Sequence, residues 1–484
     1  MKKILLIILS CTSIFASAQN AITWTLGTNI AASSYGNLHP RIVTDAGGNP
    51  LVIWGRMSDE SVFISRWNGT AFTMPMKINP TWLGVATQTW MGPDIAAKGD
   101  TVYAVMKRTP EMYDTNYIYC AHSFDAGMTF SAPVRVDFLA DSLSRFPTVT
   151  TDNSGNPIVG FMKFNSAFLE SRWTVARSND FGNSFSTDVK ASGWSGAGSV
   201  ICDCCPGAMV NSGNTVAMLY RDNLSNIRDM WAGISNDAGN SFTQGMPVDQ
   251  GNWMIMSCPG SGPDGTIAGD TLYTVYMSGT SGNSLVYLSK SGLSSMTGST
   301  GVALTGMFAG LSLQNFPRIA SAQNALAVVW KQNVNGADQL ALRFTNNIAT
   351  GFPAAYDTVD LNYITNADVT LTDGNIFVVW EDDNSGTVKY RTGTYTSTTG
   401  IKENDRQNLF TIYPNLTNGM LNLKSAFTGD ATISVYNLTG EKVYNKKVYL
   451  DDENKLDLAS LQNGMYFLKV FNERFSSTIK FVKQ

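Results

Sequence analysis

His39-Pro40-Arg41-Ile42-Val43, then Gly48-Asn49, then Leu51-Val52-Ile53-Trp54 reads as a short strand, a turn and a second strand. β-branched and aromatic residues fit a pleated, half-buried surface, and Gly-Asn supplies the positive φ that a tight reversal needs. The pattern returns along the chain. Its second copy is Pro93-Asp94-Ile95, Gly99-Asp100 and Val102 to Val105; its third is Phe146-Pro147-Thr148-Val149, Gly155-Asn156 and Ile158 to Phe161. The fourth runs Cys205-Pro206-Gly207-Ala208-Met209, Gly213-Asn214 and Val216 to Leu219. The fifth runs Pro263-Asp264-Gly265-Thr266-Ile267, Gly269-Asp270 and Leu272 to Val275. The sixth is Phe316-Pro317-Arg318-Ile319 with Ala325 to Trp330, and the seventh is Ala367-Asp368-Val369, Gly374-Asn375 and Ile376 to Trp380.

Copies recur every roughly 50 to 59 residues, which suits four short strands and their turns, one blade of a β-propeller. The expectation is an all-β protein with a seven-bladed propeller; six or eight blades stay open if one weak repeat is miscounted. The seventh copy lacks an evident fourth strand, and Ile22-Thr23-Trp24-Thr25-Leu26-Gly27 at the start of the chain reads as the strand that completes it and closes the ring. In such a meander the entries to first strands and the loops after second strands share one mouth. Trp54, Trp330 and Trp380 fall at one register at the ends of second strands. Packing between blades is the reading for them, with stacking on sugar rings as the alternative.

The rest of the chain frames this domain. Of 484 residues, 15% are charged and 43 are glycine, with a net charge of −4. No basic excess recommends nucleic acid as a partner. Lys2 and Lys3, the apolar run from Ile4 to Phe15, and Ala16-Ser17-Ala18 read as a signal peptide over 1–18, cleaved near Ala18. Cys11 raises a rival lipoprotein reading that Leu9 fits poorly. No segment is long and apolar enough to span a membrane as a helix.

Export implies an oxidising compartment. Cys202-Asp203-Cys204-Cys205-Pro206 enters the fourth repeat, and Cys258 lies just before the fifth. Neighbouring entry loops can come close enough to bridge. Two disulfides among Cys202, Cys204, Cys205 and Cys258 are therefore expected, with no metal and no cofactor; a thiolate site for copper or zinc is the sharper alternative. Cys120, on a third strand, reads as a buried thiol. Only His39 and His122 are present, which excludes a polyhistidine metal site within one chain.

Three turns between third and fourth strands share one pattern: Ser123-Phe124-Asp125-Ala126-Gly127-Met128-Thr129-Phe130, Ser178-Asn179-Asp180-Phe181-Gly182-Asn183-Ser184-Phe185 and Ser235-Asn236-Asp237-Ala238-Gly239-Asn240-Ser241-Phe242. They resemble the Asp box of sialidases and other bacterial-neuraminidase-repeat propellers. The role expected for them is structural, on the face away from the mouth. The resemblance implies three arginines for a substrate carboxylate, a Tyr nucleophile paired with an acid, and an Asp acid/base. Arg41, Arg221 and Arg318 match the first job by their places at the predicted mouth. Tyr276, Glu381 and Asp382 are the catalytic candidates. The chain departs from the family in having His39-Pro40-Arg41-Ile42 where an aromatic followed by Arg-Ile-Pro is usual, in lacking an identifiable Tyr–Glu pair, and in its blade count. A satisfied polar rim is the competing reading of these residues, and His39 is a further candidate base.

The repeat ends after Tyr395, so the propeller is assigned 19–395 and a polar linker 396–407. Residues 408–484 hold Phe410-Thr411-Ile412-Tyr413-Pro414-Asn415-Leu416, Ile433-Ser434-Val435-Tyr436-Asn437-Leu438-Thr439-Gly440, Asn463-Gly464-Met465-Tyr466-Phe467-Leu468 and Thr478-Ile479-Lys480-Phe481. Alternating apolar residues and Gly turns argue for a small β-sandwich. The segment resembles the type A sorting domain of type IX secretion, with Leu416 where proline is usual; an adhesive Ig-like module is the plainer alternative. The resemblance implies the type IX machinery as a partner, passage across the outer membrane, and release or attachment at the surface. The function expected is glycan recognition by a secreted or surface-displayed propeller; the alternatives are a sialidase-like glycosidase and a protein-binding scaffold.

Overall fold

The structure is a computed structural model. It describes residues 22–30, 35–110, 117–137, 142–165, 167–196, 200–398, 410–425, 428–439, 441–472 and 476–484. The signal-peptide segment and most of the expected linker lie outside the described residues. The described residues are all-β and contain no helix. The chain divides into two compact units, Met1–Gly400 and Ile401–Gln484.

The first unit holds seven antiparallel sheets of four or five strands, one for each repeat. The first sheet is Asn37–Thr44, Pro50–Arg56, Ser61–Arg66 and Met76–Lys77, in that order. The first strands of the next five are Asp94–Lys98, Ser142–Thr151, Ala208–Ser212, Asp264–Ala268 and Leu311–Ala322. The seventh sheet is Ile364–Thr372, Asn375–Asp382 and Thr387–Thr394, completed by Thr23–Trp24 from the start of the chain. Thr23 pairs with Thr394 and Trp24 with Gly393, so the outer edge of this sheet is covered by an N-terminal strand.

The sheets follow one another in a cycle. Each first strand lies against the first strand of the next sheet, and Ile364–Thr372 lies against Asn37–Thr44. Seven apolar clusters fill the gaps between neighbours. In one, Ile53 and Ile64 meet Val102 and Ala104; in another, Val52 and Trp54 of the first sheet meet Phe377 and Val379 of the seventh. Second strands are covered on both faces, which is why they read as unbroken apolar runs. Trp54, Trp330 and Trp380 are buried in these gaps, so they pack between sheets and are closed to sugars.

A latch that the repeat pattern did not reveal ties the sheets around the centre. The Asp94 carboxylate accepts the N–H of Val149 at 3.1 Å, Asp264 that of Ile319 at 2.9 Å, and Asp368 that of Ile42 at 3.0 Å. In each pair a carboxylate on one first strand bonds the backbone of the next. Thr148 does the same for Met209 at 3.3 Å.

In the second unit a three-stranded sheet holds Phe410–Tyr413, Met420–Ser425 and Glu453–Asp457. A five-stranded sheet holds Leu416–Thr417, Ser476–Lys483, Gly464–Phe471, Gly429–Asn437 and Lys442–Leu450. One apolar core joins them, with Phe410, Leu421 and Leu423 against Ile433, Val435, Leu468 and Val470.

Candidate functional site

Four of the seven first strands enter their sheets through bulges. The pairing register shifts between Leu38 and Arg41, Arg145 and Thr148, Asn315 and Arg318, and Ile364 and Ala367. A bulge adds a residue and re-aims its side chain. Three of the residues so placed, His39, Phe146 and Phe316, have φ of 60°, 50° and 51°, in the left-handed region that side chains rarely occupy. Such strain persists only where the surroundings over-determine it, and it gathers at functional sites. All three residues line the narrow neck of one central opening. At Gly92 a Cβ would stand 2.7 Å from the Cβ of His39, so glycine is required for the second entry to pass the first.

The opening is a cavity of about 760 Å³, within the usual range for small-ligand sites, ~300–1,000 Å³. Trp90, Phe146 and Phe316 give it aromatic faces, Met57 and Val85 further apolar surface, and Glu60, Gln88, Lys107 and Arg145 polar groups. Trp90 is 47% exposed. It lies between two repeats, where periodicity carries no signal. Below the cavity a neck of about 50 Å³ is lined by His39, Arg41, Asp94, Arg318 and Asn366.

The neck is a packed polar plug. Arg318 pairs with Asp368 at 3.1 Å and Asp264 at 3.4 Å. Arg41 donates to the Pro40 carbonyl at 2.8 Å, and its other terminal nitrogen lies 2.7 Å from His39 Nε2. Burial, together with Arg41 and Arg318, holds the His39 ring well below its ordinary pKa. The neutral Nε2 accepts from Arg41, since a guanidinium can only donate.

Arg41 and Arg318 thus come together at the neck, engaged with partners of their own. Arg221 does not join them. It is buried between the fourth and fifth sheets, donating to the carbonyls of Ser261 at 3.2 Å, Arg228 at 2.8 Å and Met277 at 2.8 Å. Tyr276 stacks on Tyr287 in the interior of the fifth sheet, with centroids 5.8 Å apart. Burial and the nearby Asp249 push its hydroxyl up, the opposite of what a nucleophile needs. Asp382 closes a turn, accepting from Asn384 N–H at 2.9 Å and pairing with Lys389. Glu381 lies behind the neck, where it accepts His39 N–H at 2.8 Å and Asn366 Nδ2 at 3.1 Å. Burial raises its carboxyl.

The cysteines stand at the cavity edge. Cys204 and Cys258 are joined, with Cα atoms 6.3 Å apart, and both line the cavity. The two entry loops touch: a Cβ on Gly262 would fall 2.0 Å from the Pro206 carbonyl oxygen. Cys202 and Cys205, expected to form a second bridge, are free thiols with sulfurs 3.1 Å apart. The Cys205 hydrogen bond, with Arg228 and Arg221, holds the Cys202 thiol down, and burial pushes Cys205 up. Cys120 is buried between the second and third sheets.

At the opposite ends of the sheets the three Ser-x-Asp-x-Gly turns repeat one network. Ser178 Oγ donates to Asp180 at 2.7 Å and accepts Gly182 N–H at 2.8 Å, while Asp180 accepts Ser184 N–H at 2.9 Å. The Asp125 and Asp237 turns match these distances within 0.1 Å. They sit beside the 1–2 hairpins, as where Ala126 N–H meets the Asp100 carbonyl.

Residues 411–484 match the family described as the secretion system C-terminal sorting domain. No curated protein matches the chain. Among solved structures, a protein of unknown function from Dyadobacter fermentans is 9% identical, with a TM-score of 0.46 over 77% of this chain and 99% of that one. An α-L-arabinofuranosidase of Fusarium graminearum is 13% identical, with a TM-score of 0.44 over 77% and 97%. A mutant of the NanB sialidase of Streptococcus pneumoniae is 11% identical, with a TM-score of 0.42 over 72% and 83%.

Proposed function

We propose that this chain is an exported, seven-bladed propeller that recognises glycans at its mouth without cleaving them, carried outward by its C-terminal sorting domain. In this reading residues 1–18 are a signal peptide, 19–395 the propeller, 396–407 a linker and 408–484 a β-sandwich delivered to the type IX machinery. The match at 411–484 supports the export step. One observation carries the recognition step: a mouth cavity lined by half-exposed Trp90, Phe146 and Phe316 together with Glu60, Gln88 and Arg145. Aromatic faces next to fixed polar groups suit the apolar and hydroxylated faces of a sugar ring. The engaged arginines and the raised, buried Tyr276 support binding over sialidase-type turnover.

A protein ligand is the second reading. Met254 and Met256 are 68% and 87% exposed on the segment leading to Cys258, and Met57 lines the cavity. Methionine-rich surfaces adapt to many partners. A glycan array run beside a fluorogenic sialoside and arabinoside panel separates the readings. Array binding with no turnover supports glycan recognition. Turnover on the panel, or a blank array, overturns it.

A further inference from the structure

Cys202, Cys204, Cys205 and Cys258 place their four sulfurs within 4.8 Å of one another at the edge of the mouth. We propose that in their reduced form these four cysteines are a tetrathiolate site for a soft divalent cation of the zinc type. The inference stands apart from glycan recognition, since it uses none of the aromatic wall.

Geometry is the first support. A tetrahedral zinc–thiolate centre has Zn–S of about 2.3 Å, which sets its sulfurs about 3.8 Å apart. Cys202 Sγ is already 3.1 Å from Cys205 Sγ and 3.5 Å from Cys204 Sγ. Three of the four ligands come from one short loop and the fourth from the next entry loop. That loop is held firmly: Cys202 N–H bonds the Arg221 carbonyl at 3.0 Å. Two ligands are buried and two face the opening, so a metal has a route in from the mouth.

Charge is the second support. Arg228 is 8% exposed, and its Nη1 lies 2.9 Å from Cys202 Sγ. Its Nε donates to the Ile255 carbonyl, and among the described residues its side-chain partners are that carbonyl and the Cys202 sulfur, with no carboxylate. A buried guanidinium is costly without an anion. A neutral thiol or disulfide sulfur is a weak acceptor, whereas a thiolate sulfur supplies the missing negative charge. Four thiolates around a divalent cation carry a formal charge of −2, which Arg228 and the neighbouring Arg221 oppose. A cation held by sulfur, with a fixed donor aimed at one ligand, is the usual arrangement of outer-shell support.

The disulfide and the metal exclude each other, and the chemistry between them balances. A small dithiol cleaves the Cys204–Cys258 bond, is oxidised to its own disulfide, and leaves two thiols on the protein. The cation then displaces four thiol protons to solvent as four S–metal bonds form. Where a small-molecule disulfide is present, exchange that joins Cys202 to Cys205 and releases two small thiols is the competing fate.

The test uses the full chain, kept in a non-thiol phosphine reductant and supplied with Zn2+, then desalted. The expected result is one zinc per chain, with four sulfurs at about 2.3 Å by X-ray absorption. Co2+ in its place should give intense thiolate charge-transfer bands. Cys205→Ser should lower zinc content at least tenfold, and Cys120→Ser should leave it unchanged. The cobalt spectrum of the unaltered chain decides the matter even if Cys205→Ser does not fold. A reduced chain that takes up neither ion, or one whose zinc survives Cys205→Ser, overturns the proposal. So does recovery of a Cys202–Cys205 disulfide from the zinc-loaded preparation.

Discussion

The two ends of the seven-sheet unit are built on different principles. At the hairpin end the sequence repeats, and the same hydrogen bonds recur in three sheets around Asp125, Asp180 and Asp237. At the entry end the repeat breaks down. Bulges occur in four of the seven sheets, left-handed residues precede proline in three, and the four cysteines cluster between two entries alone. Repetition marks what every sheet needs in order to fold. Departure from repetition marks what only the whole ring can assemble, and there the cavity lies.

That contrast can be attacked at several points. The largest effect is expected at the central latch. Asp368→Ala removes the acceptor for Ile42 N–H and one of the two partners of Arg318. Breaking a buried pair costs about 3–5 kcal/mol, so chemical denaturation should show a loss of that size. A loss below about 1 kcal/mol would mean that the ring does not depend on these latches. Next comes the clamp at the mouth. Cys258→Ser, under non-reducing conditions, opens a bridge across 54 residues and should cost about 2–4 kcal/mol.

The hairpin end should respond more weakly. Asp180→Ala forfeits the bonds from Ser178, Ser184 Oγ and Ser184 N–H, and about 1 kcal/mol is expected because the turn is local and solvated. The smallest effect is in acid. The Ser184 hydroxyl, then Ser178 and the Ser184 N–H, hold Asp180 down at about 2. A depressed carboxylate adds stability that is present above its unfolded value, about 3.9, and is lost as pH falls through about 2. Melting temperature should therefore fall less between pH 4 and pH 2 in Asp180→Ala than in the unaltered chain. Equal falls would show that the turn network adds nothing.

Legibility followed the same division. The seven repeats and the closing strand at Thr23–Trp24 were readable because each turn and each apolar run is local. The latches were not, because each joins residues in different sheets: Asp264 meets Ile319, and Asp368 meets Ile42 across the closure. Arg221 shows the limit of reasoning from strand position. A place just after a second strand suggested the mouth, but its side chain turns inward to three backbone carbonyls. The cysteine cluster was visible as spacing, while its pairing depended on how closely two entry loops approach. Trp90 carried no periodic signal at all, since it lies in the connection between the first and second repeats, in no fixed register.

The most direct test of the contrast is calorimetric titration of an array-selected glycan into two variants side by side, Trp90→Ala and Asp180→Ala. The account predicts at least tenfold weaker binding for Trp90→Ala and unchanged binding for Asp180→Ala. Weakened binding in Asp180→Ala with Trp90→Ala unaffected would place recognition at the hairpin end and contradict it.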